Sequence, residues 1–433
     1  EAFKNQDYNA AAAHIEAMPE GGLSMFIMPL LHGWSEASLG QYDVSGLSSN
    51  SVHLYHAILI AEFMNETDAI KDMLKRALNA CELGAEDVER IADIYAHIGE
   101  TENAVKLFEQ ALNFSPEDKT LEKKLETALK GEQSDIFIRV KTPDQGVGEA
   151  FYDMARLLTQ DYSDESARVF GRLAFYLNPK HTRAQILLAE IAARNERYDE
   201  AIVLYRGIQK DDDNFLNARR SAADILYEQG RSQEAISELE MLVEEYDDIN
   251  AIIQIGTVHR LDENFKDAIK AYNRAAKAIG TVGKEYWHLL YMRGMSYEQD
   301  GQWDKAEVDL QAALNFQPEH PYVLNYLGYA WADQGQNLEK ALEMIEKAVE
   351  LGVTDLHPII TAHTETRKLK TERIEAQIIE AAEQCERVDL PKLHAVSALD
   401  QKITAWDQKT PILWAAERLE NSQNIADTQS AQA

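Results

Sequence analysis

Residues 287–318 read WHLLYMRGMSYEQDGQWDKAEVDLQAALNFQP. Apolar and small residues return at helical spacing on both sides of a polar turn at Asp300-Gly301, which predicts two amphipathic helices. Gly294 lies inside the first helix, and Tyr297 comes just before the turn. Trp303, Ala306 and Ala313 mark the second helix, and Pro318 closes it, since proline cannot continue a helix.

The same phasing runs through most of the chain. A small residue after a polar turn falls at Ala104, Ala167, Ala201, Ala235, Ala268, Ala306 and Ala341, with steps of 34, 33, 38 and 35 after Ala201. Twelve residues upstream, or thirteen before Ala341, stands a second small residue: Ala92, Ala155, Ala189, Ala223, Gly256, Gly294 and Gly328. Seven residues downstream comes a third, at Ala111, Ala174, Ala275, Ala313 and Ala348, with Ile208 and Leu242 as exceptions. A period in this range is the signature of a repeat architecture. Small side chains are wanted where one helix crosses another closely, and larger neighbours such as Ile91, Tyr95 and Phe108 fill the space beside the crossing.

These columns resemble the tetratricopeptide repeat, which has a small residue in helix A, an aromatic before the turn, small residues in helix B and a closing proline. The resemblance covers residues 85–118 and 148–352, and residues 287–318 match it best. It implies an all-α fold: an α-solenoid of stacked helix-turn-helix hairpins forming a right-handed superhelix. The stretch from Gln317-Pro318 through Asn325-Tyr326-Leu327-Gly328-Tyr329 to Lys347-Ala348-Val349-Glu350-Leu351 is similar to tetratricopeptide proteins of alphaproteobacteria. Members of that group often carry an export signal, which implies a periplasmic or exported protein, with the cytoplasm as the alternative. The start at Glu1, without an initiator Met or a leader, reads as a processed or truncated N-terminus.

Composition narrows the function classes. Asp plus Glu number 74 against 43 Lys plus Arg, a formal charge of -31. Such a polyanion is repelled by nucleic acid backbones and by anionic lipid. An apolar share of 45% is ordinary for a folded chain. The longest apolar run, Leu23 to Leu31, is far short of a membrane span and contains Pro29. Cys81 and Cys385 have no CxxC partner, so the sequence writes neither a disulfide framework nor a zinc site.

The phase breaks in several places. Residues 1–80 read as truncated and degenerate hairpins, with Asp7 to Met18 as a lone helix B. Residues 81–130 read as one repeat plus a charged helix, Lys119 to Lys130. Residues 131–147 read as a linker containing a short apolar run, Ile136-Phe137-Ile138, within the segment Ile136 to Val140. That run is either part of a surface connector or a built-in pseudo-ligand tucked into the groove. Five to six repeats follow over 148–352. The region 353–420 reads as divergent and helical, with Thr371 to Val388 amphipathic, and 421–433 as a disordered polar tail. This C-terminal region is either a divergent cap or a foreign tail created by a slipped reading frame near Gly352.

Catalytic signatures are missing from the sequence: it has no Gly-rich phosphate loop, no GxSxG and no HExxH. His53 and His56 share a helix face, which could begin a metal site but leaves it without further ligands nearby; core or surface histidines are the plainer reading. The acidic run Ser232 to Ile249 reads as a solvated face. Binding is the better candidate, because stacked hairpins create a concave surface lined by helix A side chains. The register places Arg183, Arg220, Asp224, Arg260, His288, Tyr291, Asn325 and Tyr329 there. Arginine meets carboxylates bidentately, and tyrosine offers apolar area with a polar tip. The positions that match the family's Lys/Asn carboxylate clamp, such as Glu89 and Asp93 or Ile186 and Glu190, lack it, which argues against a chaperone-linked role.

The expected function is therefore a non-enzymatic scaffold holding a protein or peptide of basic or mixed charge, with a role in assembly of the bacterial envelope. No cofactor, metal or nucleic acid partner is expected. Two alternatives stand beside it: a helical accessory arm of a larger enzyme such as a glycosyltransferase, and a self-associating spacer that forms homo-oligomers.

Overall fold

Helix starts are set locally. Asp7, Asn50, Asp118 and Asp248 each accept hydrogen bonds from backbone N–H groups two or three residues on, so first-turn amides of four helices are satisfied by side chains. Hairpin turns are set by one left-handed residue. Gly99, Glu196, Gly230, Glu263 and Gly301 have φ between 57° and 78°. Each stands five residues ahead of Ala104, Ala201, Ala235, Ala268 or Ala306, and all five alanines are at 0% exposure. The small-residue ruler thus marks the first buried contact of the second helix after its turn.

The computed structural model describes residues 1–333 except 20, 45–46, 48–49, 81–83, 116–117, 135, 138 and 161–162, then 336–337, 339–341, 343–344 and 347, and four dipeptides beyond. Its helices form an all-α repeat fold. Contacts divide the chain into two units, Glu1–Leu242 and Val243–Ala433.

The first unit holds α1 (Tyr8–Glu16), α2 (Ser24–Ser38), α3 (Ser51–Phe63), α4 (Thr67–Ala80), α5 (Ala85–His97) and α6 (Thr101–Phe114). These are followed by α7 (Lys119–Leu129), α8 (Pro143–Gln160), α9 (Asp164–Leu177), α10 (Thr182–Arg194), α11 (Tyr198–Arg206) and α12 (Phe215–Glu228). Helix α13 (Ser232–Tyr246) crosses the division. Hairpin pairing is strongest between α5 and α6, α8 and α9, and α10 and α11. Ala92, Ala155 and Ala189 lie at these interfaces at 0% exposure. Helix α8 also packs against α2 and α3, helices far earlier in the chain. The crossing with α2 is close: a Cβ on Gly146 would stand 2.4 Å from the Trp34 ring.

Helix α8 begins at Pro143, inside the stretch 131–147 expected as a linker. Proline is pre-shaped for the first helical position, where its missing N–H costs nothing, so the helix starts five residues before residue 148, where the repeat register begins. The remaining connector is not a loose surface strand. Phe137 is 2% exposed and stacks on Phe108, centroids 5.8 Å apart, with His97 edge-on at 6.0 Å. Gln133 donates to the Ala96 carbonyl at 2.9 Å, and Arg139 reaches the Glu62 carbonyl at 3.5 Å. The connector therefore straps the C-terminal ends of α3 and α5.

The second unit holds α14 (Ile249–Leu261), α15 (Phe265–Ile279), α16 (Trp287–Gln299), α17 (Trp303–Phe316) and α18 (Pro321–Asp333). Helix pairs α14–α15 and α16–α17 form hairpins, and α14 and α16 also touch. Gly256 and Gly294 are the contact points: a Cβ on Gly256 would lie 2.5 Å from the Tyr272 ring, and one on Gly294 2.8 Å from Leu310.

Beyond the repeats stand four two-residue strands, β1 (Asp355–Leu356), β2 (Ile359–Ile360), β3 (Lys392–Leu393) and β4 (Ser397–Ala398). They pair in parallel, β1 with β3 and β2 with β4. These eight residues are extended, whereas the sequence predicts a divergent helical region over 353–420; the rest of that stretch lies outside the described residues. Parallel strands cannot be joined by a hairpin, and their pairing requires a crossover connection, a pattern foreign to helix hairpins. Residues 371–388, the tail 421–433 and both cysteines lie outside the described residues.

Candidate functional site: the helix A faces

Helix α5 places Glu86, Asp87, Glu89, Arg90 and Asp93 within two turns. Helix α8 answers with Glu149, Tyr152, Asp153 and Arg156. Arg90 is 3% exposed and donates to both Asp153 oxygens, at 2.6 and 3.0 Å, and to Glu149 at 3.1 Å. Its guanidinium lies 4.0 Å from the centre of the Tyr55 ring. Trp34 Nε1–H donates to His56 Nδ1 at 3.1 Å, so His56 Nε2 carries the proton and donates to Asp153 at 3.0 Å. Five helices are thereby tied together by one buried polar network, with His181 Nε2 3.2 Å from Glu149 at the start of α10.

Burial alone would raise the carboxyls of Asp153 and Glu149. Arg90 and the His56 hydrogen bond instead hold Asp153 far below the usual carboxylate range, and His181 with Arg183 does the same for Glu149. Both carboxylates remain charged inside the protein because each is paired more than once.

Among the residues expected to face a ligand, Arg183 is committed to this network. It stands 3.2 Å from Glu86 and 3.6 Å from Glu149, with its guanidinium over the Tyr152 ring. The clamp-equivalent positions Glu89 and Asp93 are also spent, holding the buried ammonium of Lys124 at 2.5 and 2.8 Å. Arg220 on α12 is half-buried and donates to Asn217, and Asp224 on the same helix is exposed. In the acidic run, Glu238 is buried and paired with Arg206 at 2.7 Å and with Arg219, so that helix is not wholly a solvated face. His53 and His56 are core histidines, 3% and 0% exposed; the first meets the Phe26 carbonyl at 2.8 Å. No cluster that could hold a metal ion occurs among the described residues.

The second unit brings its expected residues together differently. Arg260, half-buried on α14, donates to the Tyr272 hydroxyl, and its charge is felt by Tyr291 of α16. Burial raises the Tyr291 phenol, and Arg260 opposes the rise. Tyr291 meets Tyr326 of α18 edge-on at 6.0 Å and Trp287 at 6.3 Å. Trp287 packs on His320 at 4.4 Å, and His320 stands 5.7 Å from Tyr322, which is 63% exposed. Two successive helices A, α16 and α18, thus share one aromatic face, and Arg260 of α14 lies within electrostatic reach of its Tyr291. His288 lies beside Tyr286 and Trp287, and Asn325 is half-buried on α18. Tyr329 falls on α18, and its side chain is outside the described set.

Sequence reasoning missed the first unit's network because its partners lie far apart in the chain, as with His56 and Asp153, 97 residues apart. The available signal was polarity out of place: His53, His56 and Glu62 sit on an otherwise apolar α3.

A family model described as tetratricopeptide repeat matches residues 291–353, and the ARM-repeat model of tetratricopeptide repeat protein 21 matches residues 91–238. A model described as an RNA methyltransferase domain matches residues 334–433. No curated protein matches. Among solved structures, the chain is similar to YrrB, a tetratricopeptide protein with an unusual peptide-binding site, at 19% identity over 40% of this chain and 89% of that one, TM-score 0.30. It is also similar to a tetratricopeptide protein from Parabacteroides merdae, at 11% identity over 69% and 98%, TM-score 0.38. Cut9–Hcn1 of the APC/C matches at 13% identity over 81% and 79%, TM-score 0.39.

Proposed function

Because the chain is a tetratricopeptide-repeat protein, we propose that it is a protein-interaction scaffold that holds a partner segment on its helix A faces. The observation that carries this reading is the contrast between the units. In the first, the charges of α5, α8 and the start of α10 are consumed by partners within the protein; in the second, Arg260, Tyr291 and Tyr322 come from three helices with no carboxylate against Arg260 among the described residues. Preorganised hairpins hold such side chains in place before a ligand arrives and reduce the ordering cost of binding. The net charge of -31 steers a partner that is basic or of mixed charge. The reading includes an assembly role at the bacterial envelope and no catalysis by the repeats. Of the expected residues, Arg220, Asp224, Arg260, His288, Tyr291, Asn325 and Tyr329 remain its candidates, while Arg183 is held against Glu86 and Glu149 in the first unit's network.

A photo-crosslinking amino acid placed at Tyr322 and, separately, at Val308 tests it in the native cell. Val308 is 66% exposed on α17, a helix B. A partner captured from position 322 and not from 308 supports the reading; equal capture from both refutes the face assigned.

A second reading attaches to the C-terminal segment. The parallel pairs Asp355↔Lys392 and Ile359↔Ser397 and the match to an RNA methyltransferase domain favour a segment of different origin over a divergent cap. Resequencing the coding DNA checks whether the frame is continuous there, and a methyl-transfer assay of the full chain on RNA checks for activity.

A further inference from the structure

In a chain with 74 acids, the helices A of the second unit are nearly free of them. Helices α14, α16 and α18 carry only Glu298 and Asp333, and Glu298 is engaged by the Tyr326 hydroxyl at 3.0 Å. Among the described side chains of these helices, Arg293 is paired with Asp309 of α17, while Arg260 has no carboxylate partner and stands near several rings. Arg260 Nε is buried without a hydrogen-bond partner, although another part of the guanidinium bonds Tyr272. Tyr291 lies within its electrostatic reach, and from Tyr291 the rings of Tyr326, Trp287 and Tyr322 continue, joined by centroid distances of 6.0 to 6.3 Å or through His320.

We infer that this face takes an extended peptide segment in which a carboxylate lies beside a large apolar residue or proline. The inference rests on the scaffold reading above and adds the chemistry of the ligand. The carboxylate goes to Arg260, the group best shaped to receive it bidentately. The apolar side chain goes among the Tyr and Trp rings, which offer broad contact area at little cost in side-chain entropy. Charge supports this choice of partner: a basic side chain at the same spot would meet the charge of Arg260, which no carboxylate pairs among the described residues. The long-range attraction of a basic partner by the coat is compatible with it, because the contact residues read only the local segment. The carboxylate is either an Asp or Glu side chain or a chain terminus, and the test separates the two.

A library of random octapeptides is selected on the immobilised full-length chain in two formats, one with a free C-terminus and one followed by a fixed Gly-Ser extension. The expected enrichment is Asp or Glu near Phe, Tyr, Leu or Pro in both formats if a side chain is read. Enrichment in the free format alone identifies a terminal carboxylate. Resynthesised winners should weaken by about tenfold or more on Arg260→Gln and on Tyr322→Ala, the scale of one lost charge-assisted contact, and be unchanged by Val308→Ala. Circular dichroism melts check that each variant is folded, and Tyr322→Ala, at an exposed position, keeps the test valid if Arg260→Gln does not fold. Basic winners, or winners indifferent to Arg260→Gln and Tyr322→Ala, overturn the ligand assignment and leave the scaffold reading standing. Absence of enrichment in both formats overturns both.

Discussion

Arg90 grips Asp153 with two parallel hydrogen bonds, 2.6 and 3.0 Å long, across 63 residues of chain. Both groups are almost fully buried. Replacing Asp153 with Asn removes one charge and leaves the other without its main partner, a change that costs about 3–5 kcal/mol at buried pairs. Urea unfolding of the Asp153→Asn variant should show that loss, and a midpoint equal to wild type would contradict the network's importance.

The same carboxylates set an acid dependence. In the folded state Asp153 and Glu149 titrate below their ordinary values of 3.8 and 4.5. Between those values and the folded ones the unfolded chain binds more protons, so stability falls as pH falls. The contribution is fully present above about pH 5 and drains away below about pH 4. Unfolding midpoints of wild type and Asp153→Asn, taken from neutral pH down to about pH 3, should converge toward the acid end. Parallel curves would exclude the mechanism.

Phe137 is the test of the connector. A residue on a solvated linker changes stability by about 0.5 kcal/mol or less when truncated. Because its ring stacks on Phe108 in the core, Phe137→Ala should cost about 3–5 kcal/mol and expose the segment to limited proteolysis.

Ala189 and Ala201 face each other's helices in the α10–α11 hairpin at 0% exposure. Leu at either position overfills a closed interface and should cost about 1–3 kcal/mol in a thermal melt. Unchanged melting of both variants would show that the repeat register is misplaced.

Gly256 makes the same argument at closer range. A methyl group there would press on the Tyr272 ring, which is fully buried and tied to Thr257 at 3.2 Å, so the ring has no room to withdraw. Gly256→Ala should destabilise by about 1–3 kcal/mol. In the double variant with Tyr272→Leu the two costs should be less than additive, as expected for residues in contact.

The helices could be read from the sequence because their determinants are local. Ala104, Ala201, Ala235, Ala268 and Ala306 recur in phase since each must fit under a neighbouring helix one turn after a left-handed residue. Pro143 was legible as a helix start, but a register counted from the alanines placed the boundary at 147. The site was only partly legible. Helical spacing alone puts Arg183 and Arg260 on equivalent faces, yet Arg183 meets Glu86 and Glu149 while Arg260 meets a tyrosine. What separates them is the identity of residues on other helices, in one case 97 positions away, and no periodicity encodes that. The C-terminal strands escaped for a related reason, since parallel pairing joins segments that share no local pattern.

The polar network also governs when the protein can fold during synthesis. Trp34, His56, Arg90, Asp153 and His181 must all have left the ribosome before the bonds among them can close, so the N-terminal helices wait for α8 and the start of α10. Contacts so distant in the chain slow folding, because a long loop must be ordered before any of them forms. The hairpins of the second unit have no such debt: α14–α15 and α16–α17 close on neighbours only a turn away and can form one after another as they emerge. During translation the first half is thus the segment whose apolar α3 stays uncovered longest, and the half most in need of a chaperone's protection.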